Sequence, residues 1–241
     1  MPYEQPIVRK ILSPDTPNRK VLVALELFDP LSQTLVSSEV IVTANGLGRP
    51  IVSYSGRFVW LGEADAWPKE ISVQPVGLPF ENAVVQPPKP PNLPNATPDQ
   101  RLVRIVLRPT AAADFSDVTA TLGRLFESLT AGAAPVAGAT AQLAWFDKST
   151  SAWVPSPEQS GTTSAKGEFA AFLRLQPTIV QEPDMQGRFL KIRVQLTRGN
   201  STRATPDNYA FLPSPNPPGR VVEGALLAND LKLGWTDLQP V

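Results

Sequence analysis

Apolar and polar positions alternate with a period of two along much of the chain, and no long stripe of helical period is present. In the clearest case, residues 188–198, one set of alternating positions is Leu190, Ile192, Val194 and Leu196, and the other is Phe189, Lys191, Arg193 and Gln195. Successive side chains of a strand point to opposite faces. This segment therefore predicts a strand with one buried face and one basic, solvated face.

Further strands are predicted wherever apolar segments end at turn residues. Residues 70–74 alternate cleanly and predict a half-buried strand. The other predicted strands cover residues 20–28, 39–44, 51–54, 57–61, 101–107 and 118–127, with a helix as the alternative for residues 122–126. Turn residues such as Asp29-Pro30 and Asn45-Gly46 separate them. The pattern predicts an all-β chain.

Residues 134–175 are the most informative stretch for the chain's organisation. A strand running through Phe146 is preceded by the turn sequence of residues 135–139, and a second strand follows Gly167. A hairpin suits this chemistry, because Gly167 adopts positive φ without Cβ strain and Phe169 then lies on the inner face. We therefore expect these two strands to form a hairpin.

A weaker copy of this stretch occurs upstream. Residues 35–40 match the beginning of the first strand at an offset of 100 residues, and residues 55–58 match the glycine-aromatic turn at an offset of 111 residues. At 241 residues, the chain is long enough for two cores of the usual domain size. We predict two tandem β-sandwich domains, at residues 20–109 and 110–241, after an extended arm of residues 1–19.

Proline is concentrated in a few segments of the chain. The chain has 27 prolines, roughly twice the average usage of about 5%. Residues 86–99 and 213–218 are dense enough in proline to predict extended polyproline connectors, which cannot join the middle of a sheet. A spacer is the favoured interpretation of residues 86–99, and a docking site for a proline-reading module is the alternative.

Composition removes several classes of function. The formal net charge is zero and the basic residues are scattered, so no nucleic-acid partner is expected. The chain has neither histidine nor cysteine, which rules out disulfides, Ser-His-Asp and Cys-His catalysis, and imidazole-zinc sites. We therefore expect no enzymatic activity and no cofactor.

The chain carries no segment of the kind that directs or anchors a protein to a membrane. The N-terminal residues lack a basic region followed by an apolar one, and no apolar stretch approaches the roughly 20 residues of a membrane helix. We expect cytoplasmic synthesis without a signal peptide and no membrane insertion.

The carboxylates offer one candidate catalytic pair. Glu63 and Asp65 lie near Trp60 and Trp67, a combination that suits a glycosidase-like or sugar-binding site. A polar loop between strands whose tryptophans pack in a core or an interface is the favoured interpretation.

The sequence also contains candidates for two other kinds of site, a calcium-binding loop and a Ser-Lys catalytic dyad. Residues 114–117 and 229–230 carry oxygen ligands for calcium but lack the spacing of a dedicated loop, so solvated turns are favoured. Ser164 and Lys166 have the composition of a catalytic dyad, but the turn at Gly167 follows directly and separates their faces.

The residues Pro135-Val136-x-Gly138-Ala139 and Thr162-x-x-x-x-Gly167-x-Phe169 resemble the carboxypeptidase regulatory-like, or transthyretin-like, β-sandwich family. The resemblance covers most of residues 116–212. Upstream, Gly56-Arg57-Phe58 keeps the second motif, but Ser38 stands where the first motif has glycine. The resemblance implies a compact, seven-stranded, non-catalytic domain of the kind appended to enzymes, surface proteins and large assemblies. We therefore expect both tandem domains to be immunoglobulin-like or transthyretin-like β-sandwiches. It does not imply peptidase activity, since the family name refers to a neighbouring domain.

These observations together predict a structural or adaptor subunit that docks onto a larger protein assembly. By analogy, we expect a phage-tail-like or contractile-injection particle, with other protein subunits, including further copies of this chain, as partners. The candidate interaction residues are Ile7, Ile11, Trp60, Trp67, Trp153 and Trp235. Ile7 and Ile11 belong to the arm, and Trp235 belongs to an apolar tail at residues 221–241.

The alternative is a carbohydrate-binding or cell-surface-binding module. In this interpretation Trp60, Trp67, Trp145 or Trp153 acts as a stacking platform for sugar rings.

Overall fold

The computed structural model describes residues 20–62, 66–116, 118–156, 159–175, 182–211 and 217–241, and for residues 227–230 it describes the backbone alone. Strand accounts for 47% of the structure and helix for 5%, so the fold is all-β, as predicted. The helical part of the described residues consists of short 3₁₀ turns at Leu93–Asn95, Asp99–Arg101 and Trp235–Asp237. None of the helices in these ranges has the length and apolarity needed to cross a membrane.

The first half of the described chain forms two sheets around one apolar core. Its strands are β1 (Lys20–Asp29), β2 (Thr34–Leu35), β3 (Val40–Ala44), β4 (Ile51–Val52), β5 (Phe58–Gly62), β6 (Ile71–Pro75), β7 (Ala83–Val85) and β8 (Leu102–Val106). One sheet has the order β2-β1-β5-β4 with β8 beside β1, and the other has the order β3-β6-β7. Leu25, Trp60 and Ile71 are among the buried core residues. The alternation predicted for residues 70–74 is confirmed, because Ile71 and Val73 both face this core.

The second half has the same general construction. Its strands are β9 (Thr119–Phe126), β10 (Thr140–Asp147), β11 (Ala152–Pro155), β12 (Gly161–Thr162), β13 (Glu168–Leu173), β14 (Met185–Gln186), β15 (Phe189–Arg198), β16 (Ser201–Ala204), β17 (Arg220–Val222), β18 (Leu226–Gly234) and β19 (Gln239–Pro240). One sheet has the order β13-β9-β18, and the other has the order β11-β10-β15-β16-β19 with β12, β14 and β17 attached. The predicted strand at residues 188–198 is confirmed as β15, and its four aliphatic side chains are fully buried.

The strand pairings of the two halves correspond to each other. A central strand, β1 or β9, pairs with an antiparallel strand, β5 or β13, and with a parallel strand, β8 or β18, from the end of the same half. The facing sheets β3-β6-β7 and β10-β15-β16 also correspond. Gly56 and Gly167 precede the equivalent strands β5 and β13, with φ of 80° and 76°. The two sequence offsets therefore connect equivalent strands.

A third apolar cluster lies where the two halves meet. It consists of Phe115, Val118, Ala120, Ala170 and Phe172, with Leu31, Ala113 and Leu122 packed against it. Phe115 belongs to the connection after β8, and Leu31 belongs to the turn between β1 and β2. Apolar groups therefore cover part of the outer face of the sheet β13-β9-β18 as well as its inner face.

The hairpin predicted within residues 134–175 is wrong, although its turn is correct. β13 pairs with β9, and β10 lies in the facing sheet, where β15 occupies one edge of β10 while β11 and β12 occupy the other. No edge of β10 is therefore left for β13. At the turn, the Gly167 N–H donates to the Ser164 carbonyl over 2.8 Å, and Phe169 is buried as predicted.

The proline-rich segment at residues 86–99 is not a uniformly extended connector. It contains a complete 3₁₀ turn and the beginning of a second, and Leu93 is buried within it. Most of the second predicted connector, residues 213–218, and the whole arm of residues 1–19 lie outside the described residues.

The tail is a structural part of the second half. β18 lies parallel to β9, and Leu231 and Leu233 join the core of this half. The apolar side chains of Leu231 and Leu233 are therefore used within the chain, where this end completes a sheet of its own half.

We expect Gly167→Ala to destabilise the chain more than Gly138→Ala. Both glycines have positive φ, but a Cβ on Gly167 would overlap the Leu125 carbonyl oxygen, whereas a Cβ on Gly138 would meet no atom within 4 Å. The left-handed conformation alone costs about 1 kcal/mol at Gly138, and steric strain should raise the total to about 3 kcal/mol at Gly167. Chemical denaturation measures both losses. Equal losses would show that the backbone around Gly167 relaxes freely.

Candidate functional site

The structure offers no candidate metal centre among the residues that it describes. No group of three or more acidic side chains lies close enough to hold a metal ion in those ranges. Glu63, Asp65 and Asp117 lie outside the described residues, as do the side chains of residues 229–230. The Ser164 hydroxyl accepts the backbone N–H groups of Lys166 and Glu168, so it stabilises the turn.

Three of the candidate tryptophans are core residues. Trp60 and Trp145 are each 2% exposed, and Trp235 is 8% exposed. The Trp60 indole N–H donates to the Gly48 carbonyl over 2.9 Å, which satisfies its polar group inside the fold. The prediction that these rings contact a partner or a sugar is wrong, because their positions face inward.

The other two tryptophans are half-buried. The Trp67 indole N–H donates to the Pro87 carbonyl over 3.1 Å and so attaches the proline-rich segment to the first half. Trp153 lies on the outward face of β11, beside Phe146 of the neighbouring strand. Of the predicted tryptophans, these two are therefore the ones with rings near the surface.

The outer face of the first sheet carries an uninterrupted line of apolar side chains, which we call the apolar row. Strand register places its members side by side across four strands, in the order Ile51, Val59, Ala24 and Leu102. Val21 and Leu61 form a second apolar pair, on the next rung between β1 and β5. Ile51, Val21 and Leu61 are 57%, 42% and 40% exposed. A face that meets water usually carries polar side chains in an antiparallel sheet.

A groove of about 620 Å³ runs beside the apolar row. Val21, Ala24 and Leu102 line its floor, and the 3₁₀ turns of residues 93–101 form one wall. Arg57 stands at its rim and pairs with Glu26 over 2.6 Å. The groove therefore combines an apolar floor with a charged edge, which suits a protein surface better than a reaction centre.

Arg101 builds the wall of this groove. Its side chain donates to the backbone carbonyls of Leu22, Leu93 and Ala96, with separations of 3.1 Å to Leu22 and 3.2 Å to Ala96. Only 6% of Arg101 is exposed. A buried cation needs such partners, and these bonds attach the 3₁₀ turns to the beginning of β1. The sequence analysis missed this role, because Arg101 appeared to be the first residue of a strand.

A second surface lies on the outer face of the larger sheet of the second half. Phe146, Trp153, Lys191 and Arg193 form what we call the cation–aromatic cluster. Lys191 Nζ lies 4.2 Å from the Phe146 ring centre and 5.3 Å from that of Trp153. The Arg193 guanidinium carbon lies 4.6 Å from the Trp153 ring centre. The prediction of a simply solvated basic face is wrong here, because aromatic rings from β10 and β11 partly cover both cations.

Near this cluster, the two cations have one carboxylate, that of Asp207, close to them. Burial lowers the pKa of Arg193, and the nearby Asp207 carboxylate partly opposes that shift. Lys191 Nζ lies 3.6 Å from an Asp207 carboxylate oxygen. One carboxylate is thus shared by two cations.

Asp184 fixes the strands at one end of the same sheet. Burial would raise the pKa of this carboxyl, but Arg220 and Lys148 outweigh it, so the pKa lies below its ordinary value. Arg220 Nη2 donates to Asp184 over 2.8 Å. This pair joins residues far apart in sequence, and no local pattern indicated it.

The comparisons with known proteins assign no family. No protein-family model matches the chain, and no curated protein matches it. Among solved structures, it is similar to a streptococcal ancillary pilin, with 12% identity and a TM-score of 0.22, over 86% of this chain and 61% of that one. It is also similar to the Bacillus anthracis TIE protein, with 10% identity and a TM-score of 0.22, over 92% of this chain and 34% of that one. The chain therefore spans less than two thirds of either protein.

We expect Arg101→Met to destabilise the chain strongly and Arg104→Met to have little effect. The first change leaves buried carbonyls without a donor and should cost about 3 kcal/mol or more in the free energy of unfolding. Arg104 is exposed and stacks on Phe28 at 4.1 Å, a contact worth about 1 kcal/mol or less. Denaturant unfolding of the two variants checks this. Similar losses would show that the carbonyls find other donors.

Proposed function

We propose that the chain is a non-catalytic structural or adaptor subunit that docks onto a larger protein assembly. The observation that carries the proposal is the exposed apolar row, together with Val21 and Leu61 beside it. Contiguous apolar surface is costly to leave in water and commonly marks a protein contact site. An occupant that covered the row would also fill the adjacent groove.

We propose further that the halves are two tandem immunoglobulin-like or transthyretin-like sandwich domains, at residues 20–109 and 110–241. The repeated strand pairings support this division, as does the separate core of each half. Positive φ at Gly56 and Gly167, each two residues before a buried phenylalanine, supports the resemblance to the carboxypeptidase regulatory-like family. Such domains are expected to act as connectors.

The concrete assembly that we propose is a phage-tail-like or contractile-injection particle. The partners would be other protein subunits, including further copies of this chain. The arm of residues 1–19, with Ile7 and Ile11, would supply a second contact by adding to the edge of a neighbouring sheet. This part of the proposal rests on the sequence, since the arm lies outside the described residues.

A carbohydrate-binding role is the second candidate. It is favoured by the half-buried positions of Trp67 and Trp153, which leave part of each ring near the surface. A glycan array distinguishes the two roles, because binding that is abolished by Trp67→Ala would support the carbohydrate role.

If the apolar row is a docking surface, a change in it should reduce binding to the assembly and leave the stability of the fold almost unchanged. A variant with Ile51→Thr and Leu61→Thr keeps β-forming side chains but removes exposed apolar area. We expect its Tm to stay within about 4 °C of the wild type, equivalent to less than about 1 kcal/mol. Its co-sedimentation with proteins from the native source should be largely lost.

The matched control changes the outer face of the other sheet. Ile41 and Val84 are 52% and 63% exposed, and Ile41→Thr with Val84→Thr removes a similar apolar area there. This variant should co-sediment like the wild type. Equal behaviour of the two double variants would contradict a specific role for the apolar row.

Deletion of residues 1–12 tests the arm separately. If the arm docks, the shortened chain keeps its Tm and no longer incorporates into the assembly. Unfolding of the first half would assign the arm to the chain's own structure, and normal incorporation would remove it as a docking element.

A further inference from the structure

In the cation–aromatic cluster, the Arg193 side chain has a fixed direction but makes no ion pair with a described residue. On β15, Arg193 lies opposite Ala144 of β10, and Ala144 in turn lies opposite Pro155 of β11. The guanidinium reaches Trp153 on β11, so it crosses the intervening strand. Ala144 is fully buried, although its methyl group points outward. The Arg193 side chain therefore lies along the sheet in a defined direction.

A neighbouring amide helps to hold this direction. With its side-chain oxygen turned toward the guanidinium, Gln195 accepts a hydrogen bond from Arg193 Nε over 3.0 Å. Gln195 is itself only 4% exposed. Among the described residues, no carboxylate oxygen lies within 4 Å of the Arg193 guanidinium. The guanidinium is thus oriented by Gln195 and Trp153 without an ion pair.

The second cation of the cluster is placed differently. Lys191 lies over Phe146 and has Asp207 at 3.6 Å, so its charge is partly balanced. The side chain of Asp207 is 58% exposed, so solvent weakens its effect on the more distant Arg193. The cluster and Asp207 together carry two positive charges and one negative charge.

We infer that the cation–aromatic cluster is a carboxylate-binding site, and that its occupant is an acidic side chain of a partner protein. Because the Gln195 oxygen accepts from Arg193 Nη2 as well as Nε, the donors left for a carboxylate are those of the opposite edge, on Nη1 and Nη2. A guanidinium stacked on an indole is weakly hydrated, and this edge presents a planar pair of N–H donors that fits a carboxylate. Partial removal from water strengthens that attraction. Because its direction is already fixed, Arg193 loses little conformational freedom when it binds.

The geometry favours an acidic protein group over a sugar ring. The Trp153 indole already contacts Arg193, and Phe146 meets it at 5.3 Å with an angle of 74° between the ring planes. A sugar would have to displace one of these contacts in order to stack, whereas a carboxylate can bind to Arg193 without displacing either ring. The inference extends the proposed docking role to a second surface, on the other half of the chain.

The test measures binding of the peptide hexaglutamate by calorimetry at an ionic strength of about 0.1 M, where charges more than about 10 Å apart are screened, with hexaglutamine as the uncharged comparison. We expect the wild type to bind hexaglutamate and not hexaglutamine. Arg193→Gln should weaken hexaglutamate binding by about tenfold, as loss of a charge-assisted hydrogen bond implies. Arg193→Lys keeps the charge but not the planar donors, and it should weaken binding by several-fold.

The matched control is Arg188→Gln. Arg188 lies immediately before β15, is exposed, and contacts Phe189 rather than Trp153. The Arg188→Gln variant loses the same charge and should bind hexaglutamate within about twofold of the wild type, as expected for a distant, screened charge. If Arg193→Gln fails to fold, Arg193→Lys decides the matter by the same measurement.

Three results would overturn the inference. These are no hexaglutamate binding by the wild type, equal binding by the wild type and the Arg193→Lys variant, and tighter binding of an oligogalacturonate, which would point to an acidic sugar. The docking role is judged independently, by co-sedimentation of the Ile51→Thr and Leu61→Thr variant. If hexaglutamate binds through Arg193 but the Ile51→Thr and Leu61→Thr variant co-sediments like the wild type, the apolar row is not a docking surface and the carboxylate-binding site still stands.

Discussion

The sheet β13-β9-β18 has an apolar inner face and an apolar patch on its outer face, and the need to bury both organises the middle of the molecule. Phe169 points into the core of the second half, while Phe172 points the other way and must also be removed from water. The connection after β8 supplies Phe115 for that purpose, at 5.9 Å from Phe172 between ring centres. Leu31 of the first half packs on the same cluster, so burial of one sheet face brings the two halves together.

Polar contacts follow from that apolar contact. Arg174 donates to the Leu31 carbonyl over 2.8 Å. The Thr162 N–H donates to Glu81 over 3.0 Å, and the Thr162 hydroxyl accepts from Arg108 over 2.9 Å. These bonds are exposed or partly buried, so each contributes about 1 kcal/mol or less. Burial of the apolar cluster adds the non-directional hydrophobic term, and the hydrogen bonds add directional contacts between the same two halves.

Local patterns in the sequence predicted the features that depend on neighbouring residues. The alternation along β15 and the turn at Gly167 are examples, because both are set within a few positions of the chain. Strand partners depend on distant residues, which explains why the expected hairpin of β10 and β13 was wrong. The turn upstream of β3 departs from the family motif by one residue. Ser38 stands where the family motif has glycine, and the positive φ falls instead on Glu39, at 56°.

The candidate surfaces were harder to predict than the fold. The apolar row unites residues 24, 51, 59 and 102, and only the register of four strands shows that they are neighbours. Sequence reasoning identified Trp153 but not its partners, since Arg193 appeared to belong to a plain polar face. Trp60 and Trp235 were wrongly predicted to contact a partner, because a large aromatic ring suits a core as well as an interface.

The parallel pairs β1 with β8 and β9 with β18 also determine the order in which the chain can fold during synthesis. In each half, the strand made first is completed by one of the last strands made, so neither sheet closes until nearly the whole half has left the ribosome. Non-local pairings of this kind make folding slow, and N-terminal units generally fold first. β9 gains its parallel neighbour only once residues 226–234 have been made. A first half that folds first would already hold Leu31 in place to cover the face that includes Phe172.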